Sequence, residues 1–468
     1  MTLVPHTVSN YDDELRDQII EGEGFESQVY YNSGDTPTIG YGLALYSKSS
    51  GAKVSTAFSD IEKADITISA ADDIIFEQIK TAMQATPRNN TTIHNLVNQL
   101  TLDLGDEETG QTVFSHTIGR YETAVKNKIG NTLYTELENS KELIALVDIA
   151  YNGGAVLLGP GLRHALTHEN RAEVWFQIRY DSNGGQSRID FGKGIANRRV
   201  AESDVFGLYD ETPSAEGMKD VIRMERFHRV KIANEESAFP VTSASPSSNP
   251  YAGDNSLAHQ TQVAKDYLIA NFGENVTIDG KLIVGNDSIN DNSANRGNTN
   301  INDTNLNGTK DNDLIFGERG NDTLRGYGGD DVLYGGEGND MLYGGSGNDT
   351  YKANAGDTIN DSDHMGRIYF NATLLSGVKH KVSEGVYEDA MFSYTESEGN
   401  LIIAQKADPS QSVTVENWDT QTKEALGIEL SETTVNEVEN AVLPENINTY
   451  LEQFGSNAVD NSIEMIQE

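Results

Sequence analysis

From Gly308 to Lys352 the chain repeats itself every nine residues: GTKDNDLIF, GERGNDTLR, GYGGDDVLY, GGEGNDMLY, GGSGNDTYK. Five units in one phase demand a fold that itself repeats, because each unit must meet the same neighbours as the one before. Aspartate stands at the sixth position of each (Asp313, Asp322, Asp331, Asp340, Asp349), and glycine at the first of each and at the fourth of four. The eighth position holds Ile315, Leu324, Leu333, Leu342 and Tyr351, which are left to fill a core. Glycine lets the backbone turn sharply and aim carbonyls inward. With a carboxylate at every turn, stacked turns offer a hard cation the six or so oxygens that calcium takes. The neutral oxygens would be carbonyls near Gly317, Gly320, Gly326, Gly329, Gly335, Gly338, Gly344 and Gly347. A disordered Gly/Asp spacer needs neither the phase nor the apolar eighth residue.

The stretch resembles the RTX nonapeptide, the calcium-binding parallel β-roll of proteins exported by bacterial type I secretion machinery. That resemblance implies structural calcium and a secreted, extracellular protein that takes a signal-peptide-independent route. It also implies two repeats per turn, so that aspartates pair as first with third, second with fourth and third with fifth, in about three sites. The first unit departs at Thr309 and Asp311, which predicts a weaker first turn. The strand-like stretches GRIYFNA, NLIIAQ, SVTVENW and LGIEL, with Trp418, resemble the folding cap that follows such rolls. The weakly helical acidic tail after them is the place for a type I secretion signal.

Composition divides the chain the same way. Its 468 residues exceed one ordinary core. There are 34 acids against 22 bases up to Lys231, and 39 against 12 from Ile232 onward. Such a surplus repels nucleic acid and anionic membrane and suits hard cations. With no cysteine, disulfides and thiolate metal sites are excluded. The start of the sequence has no basic region leading into an apolar run, and no stretch reaches the ~18 apolar residues of a membrane span, so no membrane insertion is expected.

Before the repeat, helical patterns dominate from about Ala71 to Phe227, and FPVTSASPSSNPYAGDNS then breaks all periodicity as a linker does. Near the start, Asn10 reads as a helix N-cap with Asp12, Asp13 and Glu14 in the first turn. The helix should run into Glu23, and Val29-Tyr30-Tyr31 and Thr38-Ile39 should form a hairpin around NSGDTP. A carboxylic acid at such a helix end is placed to protonate a leaving oxygen.

EGFESQVYYNSGDTPTIGYG resembles the active-site stretch of phage-type lysozymes (glycoside hydrolase family 24). ALVDIAYNGG resembles that family's buried central helix, and GIANRRVAESDVF its Gly-x-x-x-Arg-Arg-x-x-Glu signature. The resemblance spans roughly residues 11 to 230. It implies Glu23 as general acid, Asn32 at the position of the family's Asp, Thr38 as the residue that positions the attacking water, and Arg198 as the partner of Glu23. Tyr30 and Asn152 are the candidate substrate contacts; tyrosines of these strands (Tyr30, Tyr31, Tyr41) serve either as sugar platforms or as strand core. Two positions depart from the pattern: Asn32 carries no charge, and Leu43 stands where the family often has His. Asp35 supplies a carboxylate if the hairpin turns it inward and is otherwise an ordinary turn residue.

The expected architecture is multidomain: an α+β lysozyme-like domain over 1–235, mostly helical with a small hairpin sheet; a linker with a short helix over 236–307; an all-β parallel roll over 308–352; a β-rich cap over 353–430; and a tail over 431–468. The expected function is a secreted muramidase that cuts the β-1,4 bond between N-acetylmuramic acid and N-acetylglucosamine in peptidoglycan, with calcium as structural cofactor and none for catalysis. Alternatives are lytic transglycosylation by Glu23 alone, an inactive wall-binding protein, and an interbacterial effector with an immunity partner.

Overall fold

A run with no polar side, KELIALVDIAYNG, makes the helix around which the N-terminal half is built. Ser140 caps it by accepting from the Leu143 amide at 3.1 Å, and Gly154 ends it at φ 82°. Every residue from Glu142 to Ala150 is buried. A helix apolar around its circumference has to be surrounded, and other helices of the same half do this.

The structure, a computed structural model, describes residues 3–31, 36–182, 192–239, 249–285, 303–418, 421 and 423–434. Its contacts divide the chain into two units, Met1–Ala264 and Lys265–Glu468. The first begins with α1 (Tyr11–Glu23) and a small sheet of β1 (Glu26–Tyr31), β2 (Pro37–Gly40) and β3 (Leu43–Ala44). Then come α2 (Ser55–Lys63), α3 (Ala70–Gln84), α4 (Asn90–Val97), α5 (Glu107–Ile129), α6 (Asn131–Glu136) and the central α7 (Lys141–Gly153). Next are α8 (Pro160–Thr167), α9 (Arg171–Phe176), α10 (Gly192–Phe206), α11 (Ala215–Ser237) and α12 (Leu257–Gln260). In the sheet β1 pairs antiparallel with β2, Tyr30 opposite Thr38, and β2 with β3, Thr38 opposite Ala44. Asn10 stands at the N-cap position of α1 but its side chain makes no cap hydrogen bond; the three acids of the first turn face the helix dipole instead. Among the described residues no helix is long and apolar enough to cross a membrane.

The second unit is a parallel β-solenoid with one repeat per strand and two per turn. One sheet takes β4 (Leu282–Val284), β6 (Leu314–Arg319), β8 (Val332–Glu337), β10 (Asp349–Ala353) and β12 (Gly366–Phe370); the other takes β5 (Leu306–Thr309), β7 (Thr323–Gly328), β9 (Met341–Ser346) and β11 (Thr358–Asn360). Leu314 pairs with Val332 and Val332 with Thr350; across the core Leu324 pairs with Leu342 and Leu342 with Ile359. The eighth-position side chains are all fully buried between the two sheets. Ile283 and Leu306 before the strict repeats, and Ile359 and Ile368 after them, join the same core. The roll therefore runs past both ends of the nonapeptides, because pairing needs only an apolar residue facing inward. Helix α13 (Gln262–Phe272) ends at Phe272, which packs edge-on against Phe316 and Tyr334 at 5.5 and 5.8 Å. Eight further strands between Thr373 and Thr434 extend the two sheets, with Trp418 buried among them.

Leu333 lies in the middle of this column. Leu333→Ala should lower the stability of the calcium-bound roll by about 2–5 kcal/mol, by lost burial and a residual cavity. The urea midpoint of the β-signal measures it, and the helical transition should not move.

Candidate functional site

Each sixth-position aspartate spends one oxygen on the turn stacked beside it. The amides of Asp313 and Asp331 donate to Oδ1 of Asp331 and Asp349 at 2.7 and 2.8 Å. In the other column the amides of Asp322 and Asp340 donate to Oδ1 of Asp340 and Asp357 at 2.8 and 2.9 Å. The second oxygens of Asp322, Asp331, Asp340 and Asp349 are buried and have no hydrogen-bond partner, on residues at most 1% exposed. A buried carboxylate oxygen without a donor is costly unless a cation meets it.

The first-position glycines make room at these oxygens. A Cβ on Gly326 would collide with Asp331 Oδ2 and lie 2.6 Å from the carbonyl of Gly344. On Gly317 it would lie 3.0 Å from Asp322 Oδ2 and collide with the carbonyl of Gly335, and on Gly335 it would lie 2.7 and 2.8 Å from Oδ2 of Asp340 and Asp357. Three places thus bring a free carboxylate oxygen to a carbonyl or a second carboxylate. The fourth-position glycines Gly320, Gly329, Gly338 and Gly347 have φ between 99° and 139°, a region closed to most side chains; the carbonyls of Gly320 and Gly329 press against Gly338 and Gly347 one turn on. Among the described residues no three His, Cys, Asp or Glu side chains gather as a metal cluster; each position offers one or two carboxylates with backbone carbonyls, a hard-oxygen set that fits calcium. Calcium bound there would supply charge neutralisation and a cross-link between turns.

Asp313 is different. Its oxygens are taken by the Thr309 amide and hydroxyl and by the Lys281 amide, so the first repeat, with Thr in place of Gly, Glu or Tyr at its second position, closes on itself. Asp357 was missed by the nine-residue count because the unit after Lys352 is one residue short; the signal was its Gly356-Asp357 pair. Burial pushes Asp322 and Asp331 up to about 8, Asp349 and Asp357 to about 7, and Asp340 to about 6.

In the helical unit, Glu23 ends α1 with its side chain 20% exposed, and Arg198 Nη1 of α10 lies 2.9 Å from its Oε1. Burial raises the Glu23 carboxyl above its usual range, Arg198 opposes this, and Asp148 of α7 adds to it. Gly22 lies inside α1, and a Cβ there would strike the Arg198 guanidinium. Gly42, at φ 83°, passes close to Glu23 in the same way, 2.8 Å from Cβ to Oε2. Tyr30 is half-buried, and burial, with Glu23 adding to it, raises its hydroxyl above the usual range. Thr38 is fully buried, and its hydroxyl donates to the Thr36 carbonyl at 2.9 Å. The amide of Asn152 donates to Asp148 Oδ1 at 2.5 Å and to its carbonyl at 2.9 Å. Tyr41 is core, 5.2 Å from the Phe25 ring, and its carbonyl accepts from the Tyr151 hydroxyl at 2.6 Å. Asn32 and Asp35 lie outside the described residues.

Sequence reasoning missed the acids beneath Glu23. Asp148 is held by Gln18 at 3.2 Å and by Asn152, and burial raises its carboxyl against the pull of Arg198. Glu202, paired with Arg199, is pushed up to about 8 by burial. An Asp in the otherwise apolar LVDIA was the available signal.

Four overlapping copies of the RTX calcium-binding nonapeptide repeat match the chain, at residues 299–333, 307–342, 316–351 and 325–359. No curated protein matches it. Among solved structures it is similar to the solution structure of the AlgE6R3 subunit from the Azotobacter vinelandii mannuronan C5-epimerase, at 30% identity over 27% of this chain and 77% of that one, with a TM-score of 0.20. The chain thus carries RTX calcium-binding repeats, which are typical of proteins exported by type I secretion.

Without calcium the closed roll binds protons that the open chain does not, from about pH 4 to about pH 8, so its stability falls as pH rises through that window. In chelator at pH 8 the β-signal should be lost; it should return on acidification toward pH 5, or at pH 8 on adding millimolar calcium. Magnesium, which requires a tighter octahedral shell, should not replace calcium. Circular dichroism with limited proteolysis checks both, and the helical signal should persist throughout.

Proposed function

We infer that the chain is an exported, calcium-folded peptidoglycan hydrolase in which Glu23 protonates the glycosidic oxygen between N-acetylmuramic acid and N-acetylglucosamine. The observation that carries the reading is the largely buried Glu23 carboxyl, raised by burial and held by Arg198 at 2.9 Å, where α1 opens into the hairpin. A general acid has to keep its proton near neutral pH. Once the proton has moved, the guanidinium balances the new anion. Asp148 and Glu202 sit behind the two arginines and act as positioning groups. The role of Asn32 rests on the lysozyme resemblance, and Asp35 supplies a second carboxylate if the hairpin turns it inward. The RTX repeats support delivery through type I secretion machinery, and a wall-cutting enzyme passed between cells would need an immunity partner.

A second reading has one observation in its favour. The Thr38 hydroxyl proton is committed to Thr36 and its side chain is fully buried, which leaves it only lone pairs for a water. In lytic transglycosylation no water is needed: Glu23 acts first as acid and then as base while the sugar's own hydroxyl attacks. Mass spectrometry of the digest separates the two, reducing ends for hydrolysis and anhydro products for transglycosylation.

Glu23→Gln keeps the shape and loses the acid, so clearing of purified peptidoglycan should fall by about 100-fold or more with fold and wall binding retained. A Gln variant that clears at the parent rate would contradict the assignment and leave a wall-binding protein. Arg198 lowers the pKa of Glu23, so Arg198→Met should move the alkaline limb of kcat/KM to higher pH while lowering its maximum. Asn32→Asp should raise turnover, or at least not abolish it, if that position supports hydrolysis.

A further inference from the structure

The four unpartnered carboxylate oxygens do not share one environment. Those of Asp322 and Asp331 meet a first-position carbonyl of the next turn, and that of Asp340 meets Asp357. The oxygen of Asp349 instead shares the space beside Gly344 with the Tyr351 hydroxyl. In the last turn the register step is one residue shorter, pairing Asp349 with Gly366. The same step from Gly344 arrives at Asp361, so this turn offers a carboxylate where earlier turns offer a glycine carbonyl. The eighth residue changes as well: four aliphatic side chains give way to Tyr351, whose hydroxyl donates to Asp361 Oδ2 at 2.6 Å. A Cβ on Gly344 would collide with both the Tyr351 hydroxyl and Asp349 Oδ2. Asp349, Tyr351 and Asp361 are 0%, 0% and 2% exposed. Asp361 Oδ1 accepts from the amides of Asp363 and His364 at 3.0 and 2.6 Å, so the loop after β11 is folded around this carboxylate.

The geometry points to a terminal calcium site, outside the nonapeptide spacing, formed by Asp349 and Asp361 with Tyr351 as a positioning residue. Tyr351 has one proton and gives it to Asp361, which leaves the buried Asp349 oxygen unanswered beside a second carboxylate. Where the carboxyl is ionised, a cation removes that cost. The donors are hard oxygens, and the nearby His364 directs Nε2 to the Asn417 carbonyl at 3.1 Å, which favours calcium over a metal that prefers imidazole. Such a site would fasten the last repeat to the loop that leads into the strands beyond it.

The test is native mass spectrometry and calorimetric titration of the full chain with calcium chloride at pH 7.5, with circular dichroism to confirm that the roll is closed. Asp361→Asn should bind one calcium fewer than the parent. Tyr351→Phe should keep the count at saturation but weaken one site by about 10- to 100-fold, as loss of a group that orients a metal ligand does. A closed Asp361→Asn roll with the parent's count and affinities would overturn the proposal and reduce Tyr351 and Asp361 to a hydrogen-bonded cap. If Asp361→Asn fails to close even in calcium, Tyr351→Phe decides alone: unchanged binding constants at every site overturn the proposal.

Discussion

The second unit depends on carboxylate oxygens that the protein buries and does not satisfy. Sheet stacking requires each aspartate to accept one amide hydrogen bond from the neighbouring turn, and that geometry turns the second oxygen inward, where no donor reaches it. The core of Leu324, Leu333 and Leu342 can close only if those charges are neutralised. Protons do this in acid and calcium does it near neutrality, so the same residues that define the fold also make it conditional on its surroundings. For a chain exported unfolded, this conditionality puts folding on the side of the membrane where calcium is abundant.

The helical unit solves a similar problem by different means. Glu23, Asp148 and Glu202 are buried near one another, and Arg198 and Arg199 counter them with guanidinium groups fixed on α10. Gly22 and Gly42 are the points where the backbone yields space to that cluster. Burial raises all three carboxyls, and partial exposure is what distinguishes Glu23 from the fully buried Asp148 and Glu202.

Much of this could be read from the residues. The nine-residue phase dictated a stacked fold with a buried eighth position and a carboxylate at every turn, and the RTX resemblance implied the roll with two repeats per turn. The departure of the first turn was legible in Thr309, whose hydroxyl and amide occupy Asp313. What the repeat could not show is where stacking stops. Leu306 and Ile359 join the roll on apolar character alone, and Asp357 and Asp361 fall out of phase because the last turn is shorter. Nor does the pattern mark the second position, where Glu318 and Tyr327 adopt φ of 77° and 79° while Gly336 and Gly345 do the same without strain. In the helical unit Glu23 and Arg198 stood out through their motifs, whereas Asp148 and Glu202, although inside the quoted motifs, carried no sign of a role at Glu23; only tertiary packing brings them beside it.

The claim that calcium, rather than packing alone, holds the roll closed is tested most directly by hydrogen exchange on the intact chain at pH 7.5, in millimolar calcium and in chelator. The ladder amides of Asp313, Asp322, Asp331 and Asp340 should exchange slowly in calcium and at the rate of an open chain in chelator, while the amides of α7 stay protected in both. Equal protection of those four amides in chelator would contradict the account, since the buried carboxylates would then be tolerated without a cation.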